Sequence, residues 1–145
     1  MGKIFTFFFL LFAQIVWGQR NDGTSVMPIM QTAATAIDKI ENSNNEIVRI
    51  EFDILKDEKS SYRSLYSQWN YGILAFGESD RVEDIDIELY RQTGDSWTLV
   101  KKDTDVASVA SMTFKPMYDG NYKIVIKGYR FSSGGSHYGL IIFHE

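Results

Sequence analysis

No cysteine occurs in the 145-residue chain, and it has only two prolines and two histidines. The missing thiols exclude a disulfide framework, a thiol nucleophile, a lipoprotein-type cysteine anchor and any cysteine-based zinc or iron–sulfur site. A core drawn from more than ~100 residues suffices without such staples. The histidines, His137 and His144, stand beside Ser136 and at the penultimate position. No Gly-x-Ser-x-Gly elbow accompanies them, and Ser133-Gly134-Gly135-Ser136 reads as a flexible hairpin tip. Phosphate-binding loops and dinucleotide fingerprints are absent as well. Positive charge is scarce, with 15 Lys and Arg against 19 Asp and Glu and a formal net charge of −4. That balance disfavours nucleic acid and anionic membrane surfaces, which demand clustered Lys and Arg. The expectation is a protein that is not an enzyme. A glycosidase needs only two carboxylates, so a small secreted hydrolase stands as a rival reading.

Long apolar runs are missing except at the start. Lys3, the run Ile4 to Phe12, and small or apolar Val16 and Gly18 at the positions three and one before a cut compose a cleavable signal peptide over residues 1–18. The run breaks at Gln14 and falls short of a hydrocarbon core of ~30 Å. The mature protein is therefore expected to be exported, periplasmic or extracellular, with no membrane span after cleavage. Polar residues 19–27 read as a flexible leader.

Residues 28–45 read as a helix and linker. Ile29, Ala33, Ala36, Ile37 and Ile40 recur at spacings of three and four, Pro28 suits a first turn, and Asn42-Ser43-Asn44-Asn45 supplies the stop. Such a helix is expected to cover one face or end of a sheet. From residue 46 the period switches to two. Val48, Ile50, Phe52 and Ile54 alternate with Arg49, Glu51 and Asp53, and Ile85, Ile87 and Leu89 alternate with Asp84, Asp86 and Glu88. Further strands are expected at Tyr62 to Tyr66, Tyr71 to Phe76, Ser96 to Lys101, around Met112 and Phe114, at Tyr122 to Ile126, and at Tyr138 to Phe143. About eight strands joined by short turns leave no room for parallel crossovers, so residues 46–145 are expected to form an antiparallel β-sandwich or jelly roll.

The pieces Tyr71-Gly72-Ile73-Leu74-Ala75, Asp84 through Tyr90, Asp119-Gly120-Asn121-Tyr122-Lys123-Ile124 and Tyr138-Gly139-Leu140 occur in an order that resembles the bacterial pre-peptidase C-terminal domain family. The resemblance runs from Arg63 to Ile142. It implies a small jelly-roll module of non-catalytic character in an exported protein. Some members of that family bind calcium near the corresponding acidic strand start, which implies Asp84 and Asp86 as ligands here.

Two groups of residues are candidates for a site. Asp80, Glu83, Asp84 and Asp86, flanked by Glu78 and Glu88, offer the oxygens that a calcium ion needs, or else form a solvated strand face that discourages edge pairing. Trp97, Tyr129, Phe131 and Trp69, with Tyr62 and Tyr66, could stack on sugar rings or anchor a protein, or else pack the core. The function expected is an exported binding module for a protein or glycan partner, with possible calcium stabilisation; a structural or assembly protein of the cell envelope is the alternative.

Overall fold

The computed structural model describes residues 25–145. The signal peptide assigned to 1–18 and most of the leader assigned to 19–27 lie outside the described residues. Helix α1 (Met27–Asn42) is followed by eight strands: β1 (Glu46–Leu55), β2 (Glu58–Leu65), β3 (Tyr71–Gly77), β4 (Val82–Thr93), β5 (Ser96–Asp103), β6 (Val109–Phe114), β7 (Gly120–Phe131) and β8 (Ser136–His144). They form two four-stranded sheets, β1-β8-β3-β6 and β2-β7-β4-β5. Every pairing is antiparallel. The chain changes sheet at each strand connection except β4 to β5, which is the path of a jelly roll. The fold expected from the alternation is thus the fold observed.

Alternation places the core. Ile85, Ile87 and Leu89 of β4 and Ile124 and Ile126 of β7 face Tyr71, Ile73 and Ala75 of β3 and Leu140 and Ile142 of β8, all buried in one cluster. Each fully buried aliphatic side chain contributes ~1.5–3 kcal/mol relative to exposure. At the β4–β5 hairpin the two-residue loop Gly94-Asp95 begins with φ +60° at Gly94, which glycine adopts without cost.

In β3 and β8 the residues between the core positions are apolar too. Leu74, Phe76, Ile141 and Phe143 form a second apolar layer on the outer face of the first sheet, and α1 covers it with Ile29, Ala33 and Ile40. This is the covering role its 3.6-residue pattern implies. Two reciprocal pairs level the floor beneath the helix. Gly72 lies opposite Phe143, and Gly139 lies opposite Phe76. A Cβ on Gly72 would stand 2.1 Å from the Phe143 ring, and one on Gly139 2.4 Å from the Phe76 ring. Each ring therefore lies over a glycine, and the helix approaches with small Ala33. Asn44, at φ +57°, turns the chain out of the helix into β1.

One expectation fails in β1. The register with β8 shifts between Ile47 and Arg49, so Val48 is an extra residue. Beyond this bulge the faces are exchanged. Ile50, Phe52 and Ile54, expected on the buried face, are 41%, 38% and 47% exposed on the outer face. Glu51 and Asp53 turn toward the second sheet instead and build a polar seam along that side of the sandwich. Lys59 Nζ donates to Asp53 at 2.5 Å, Ser61 Oγ donates to Glu51 at 2.5 Å, and Arg63 donates to the Val48 carbonyl at 3.2 Å. The Lys59 hydrogen bond, aided by the Ile54 amide, holds the Asp53 carboxyl below its ordinary value. Burial, with Glu51 and Asp53 nearby, pushes the Tyr138 phenol up to about 12.

Candidate functional site

Among the described residues no helix lies on the outer face of the second sheet, and the side chains there can be placed row by row. Tyr62 of β2 lies opposite Lys123 of β7, which lies opposite Tyr90 of β4, which lies opposite Leu99 of β5. In the neighbouring row Ser64 lies opposite Asn121, and Gln92 lies opposite Trp97. The aromatic rings of Tyr62 and Trp97 rise from the two edge strands and meet above the sheet with centroids 5.6 Å apart and planes tilted by 60°. Lys123 Nζ sits 4.7 Å from the Tyr90 ring centroid and 5.3 Å from that of Trp97. A cavity of about 330 Å³ is lined by Tyr62, Arg63, Ser64, Gln92, Trp97 and Asn121.

A directed chain of hydrogen bonds crosses the sheet at this cavity. Ser64 Oγ donates to Asn121 Oδ1 at 3.0 Å, Asn121 Nδ2 donates to Gln92 Oε1 at 3.0 Å, and Gln92 Nε2 donates to the Gly94 carbonyl at 3.3 Å. Each amide thereby spends one N–H and one lone pair and retains one of each for a ligand. Two adjacent amides with one free donor and one free acceptor apiece suit the hydroxyls of a sugar ring, and the aromatic pair supplies an apolar surface for its C–H face.

Beyond this row the same face is ionic. Lys127 Nζ bonds Glu88 at 2.9 Å and Tyr90 donates to Glu88 at 2.5 Å. Burial opposes ionisation of Glu88, but these two hydrogen bonds outweigh it and hold its carboxyl low.

The expected site residues separate. Trp97 stands at the aromatic cavity. Trp69 and Phe131 pack against the inter-sheet core, with Trp69 stacked on His144 at 4.1 Å. Tyr129 is exposed at the other end of the face, opposite Asp84. That is eight residues along β4 from Gln92, or about 26 Å at ~3.3 Å per residue, so Tyr129 and Trp97 do not share a site. Of the acidic residues, Glu83 and Asp84 both pair with Arg130, at 3.6 and 3.5 Å. Asp80 lies in the β3–β4 turn, where its carbonyl accepts from Ser132 Oγ. Burial, followed by the charge of Asp84, raises the Asp86 carboxyl. Among the described residues no group of three or more His, Asp or Glu is disposed to hold a metal ion. Glu78 is buried and ties the start of β8 to the β3–β4 turn, accepting from the His137 amide at 2.9 Å. Ser136, 1% exposed, donates to the His137 carbonyl at 2.7 Å.

Gln92, Asn121, Ser64, Lys123 and Tyr90 did not stand out in the sequence. The hairpin at Thr93 to Asp95 was a usable signal, because it sets Gln92 against Trp97. Asn121 carried none, since it reaches Gln92 only through the β4–β7 pairing.

No protein-family model matches the chain, and no curated protein does. The fold is that of the pre-peptidase C-terminal domain of a collagenase from Bacillus anthracis, which it matches with a TM-score of 0.50 at 13% identity over 65% of this chain and 87% of that one. The resemblance read from the strand motifs therefore holds at the level of fold. A mitogen from Yersinia pseudotuberculosis matches at a TM-score of 0.49, 16% identity, 65% of this chain and 82% of its own. A family 32 carbohydrate-binding module of C. perfringens NanJ, solved with galactose, matches at 0.39, 8% identity, 68% of this chain and 98% of its own. At 13% identity the collagenase domain carries over the architecture alone.

Proposed function

We propose that this chain is a non-catalytic β-sandwich binding module that holds a glycan on the outer face of its second sheet. The observation that carries the reading is the Tyr62–Trp97 pair closing over the polarised Ser64, Asn121 and Gln92 chain. The sugar's apolar face stacks on the rings while adjacent hydroxyls replace water at the free amide groups, and Lys123 backs the Trp97 ring. No bond is made or broken. Export belongs to the same reading and rests on the composition of residues 1–18; among the described residues no helix is long and apolar enough to cross a membrane.

The test is a glycan microarray followed by calorimetric titration of each hit with the wild type and with Trp97→Ala and Tyr62→Ala. Binding is expected for the wild type, with at least ~10-fold loss in each variant, the scale of one stacking contact. Wild-type protein that retains no glycan on the array, or hits that survive both substitutions, would overturn the reading.

A further inference from the structure

Helix α1 does not span the whole of the outer face it sits on. In the order β1-β8-β3-β6 it packs chiefly on β1 and β8 and leaves the β3–β6 side beside it. There a groove of about 940 Å³ opens, a volume within the ~300–1,000 Å³ of small-molecule sites. Its floor is Leu74, Phe76, Phe143 and Val109, and one wall is the flank of α1 at Thr32 and Thr35. Leu74 and Phe143 are half-buried and Val109 is 45% exposed, so apolar surface is left facing water.

The polar groups beside this floor are largely spent. Thr32 Oγ1 and Thr35 Oγ1 donate to the Pro28 and Gln31 carbonyls of their own helix, each at 3.1 Å. On the opposite rim the Ser111 amide donates to Asp103 at 2.9 Å, and Lys101 Nζ donates to the Thr113 carbonyl at 2.6 Å. At these two positions the β6 edge has no backbone group left for a peptide strand. What remains is positive charge. Lys39, Lys101 and Lys102 line the groove against the carboxylate of Asp103, in a chain whose formal net charge is −4. Asp103 is itself bound by the Asp105 and Ser111 amides, and Lys102 lies opposite Glu88 in the β4–β5 ladder. Lys39 pairs with no carboxylate among the described residues, and Lys101 keeps two of its three ammonium donors.

These two cations stand at the same end. Helix α1 runs into β1, whose Glu46 pairs with His144, so the last turn of the helix, with Lys39, lies at the His144 end of β8. Thr113, which Lys101 reaches, lies at that end too, because Gly72 pairs with both Thr113 and Phe143. From Thr113 to Val109 the floor runs four residues further, or about 14 Å at ~3.4 Å per residue.

We propose that this groove takes a free medium-chain fatty acid, with its carboxylate on Lys39 and Lys101 and its alkyl chain along Leu74 and Phe76 toward Val109. An alkyl chain asks for no hydrogen bonds, and its burial releases the water over the apolar floor. The carboxylate gains charge-assisted hydrogen bonds at the one end where ammonium donors are free. A groove walled by α1 on one side and rimmed by β5 on the other admits one chain rather than a membrane surface. Gln19 to Ser25, which would precede α1 after cleavage at Gly18, are polar and supply no apolar side chain to fill it. The inference is independent of the sugar reading, because Tyr62 and Trp97 belong to the other sheet.

The test is isothermal titration of decanoate, kept below its micellar concentration, into the full chain as its host processes it. One-to-one binding is expected, with at least ~10-fold weaker binding of decanol, which keeps the chain and loses the charge. Lys39→Met should weaken decanoate by about 10-fold and leave decanol unchanged, a split that a merely structural role would not produce. Thr35→Trp, which fills the groove from an exposed position, should abolish binding of both while circular dichroism stays unchanged. Vesicles of phosphatidylcholine and phosphatidylglycerol should not retain the protein. Absence of heat with decanoate, equal affinity for decanoate and decanol, decanoate binding that survives both substitutions, or capture by the vesicles in place of the monomeric acid would each overturn the inference.

Discussion

The outer faces of the two sheets are built from the same alternation and end with opposite fates. On the first sheet the outward residues Leu74, Phe76, Ile141 and Phe143 are as apolar as the inward ones, and a helix must be spent to cover them. On the second sheet the outward residues of β4 and β7 include Asp86, Glu88, Tyr90, Lys123 and Lys127, which lie half-buried and are covered by no helix among the described residues. A strand apolar on both sides demands two partners and a strand apolar on one side demands one. The face left open is the one where polar and aromatic side chains are fixed by each other.

That contrast can be broken most forcefully at Phe76. Phe76→Ala removes a fully buried ring under α1 and should cost ~3–5 kcal/mol in denaturant unfolding. Trp97→Ala should change stability by less than ~1 kcal/mol while weakening the proposed glycan binding by at least ~10-fold. Equal destabilisation by the two would erase the distinction between a covered face and a working one. Gly139→Ala pushes a methyl into the Phe76 ring and should cost ~1–3 kcal/mol, read as a lowered melting temperature.

Smaller effects sharpen the comparison through pH. Asp86 on the open face has a raised carboxyl, so its ionisation disfavours the folded state; the penalty is absent well below pH 3.8 and develops as pH rises through the shifted range. Asp86→Asn should therefore raise the melting temperature at pH 7 and leave it unchanged at pH 3. Asp53 in the seam has the reverse sign. Its carboxyl is lowered, so its contribution is complete above pH 3.8 and is lost as pH falls through the lowered value. Lys59→Met should cost no more than ~1 kcal/mol at pH 7, because the pair is largely exposed, and progressively less in acid. Thermal melts from pH 2 to 7 check both.

Most of the architecture was legible, because eight period-two segments and one period-3.6 segment each admit one kind of element. Ile85, Ile87 and Leu89 point inward as their alternation requires. Strand β1 was misread for a definite reason. A period of two looks the same in either phase, and one extra residue at Val48 exchanges the faces without altering the pattern. Trp97, just after a turn, was visible as a candidate aromatic, and Tyr62 only as one of the aromatics that accompany it. Their meeting was not, because they come from opposite edges of a sheet and are 35 residues apart in the chain. Trp69 and Phe131 show the converse: a large ring close to a loop packs against the inter-sheet core.

The hydrogen bonds from Ser64 to Asn121 to Gln92 to Gly94 all run one way, and because the Gly94 carbonyl can only accept, it sets the orientation of Gln92 and through it that of Asn121. The free donor and free acceptor of each amide are consequently fixed in space. A sugar bound as proposed, with its hydroxyl inverted at one carbon, would meet a donor where its epimer met an acceptor and would lose a partnered group without any change of size or charge. On the proposed glycan reading, the cross-sheet relay would act as a stereochemical gauge, reading the configuration at one carbon where the aromatic rings above it read only shape.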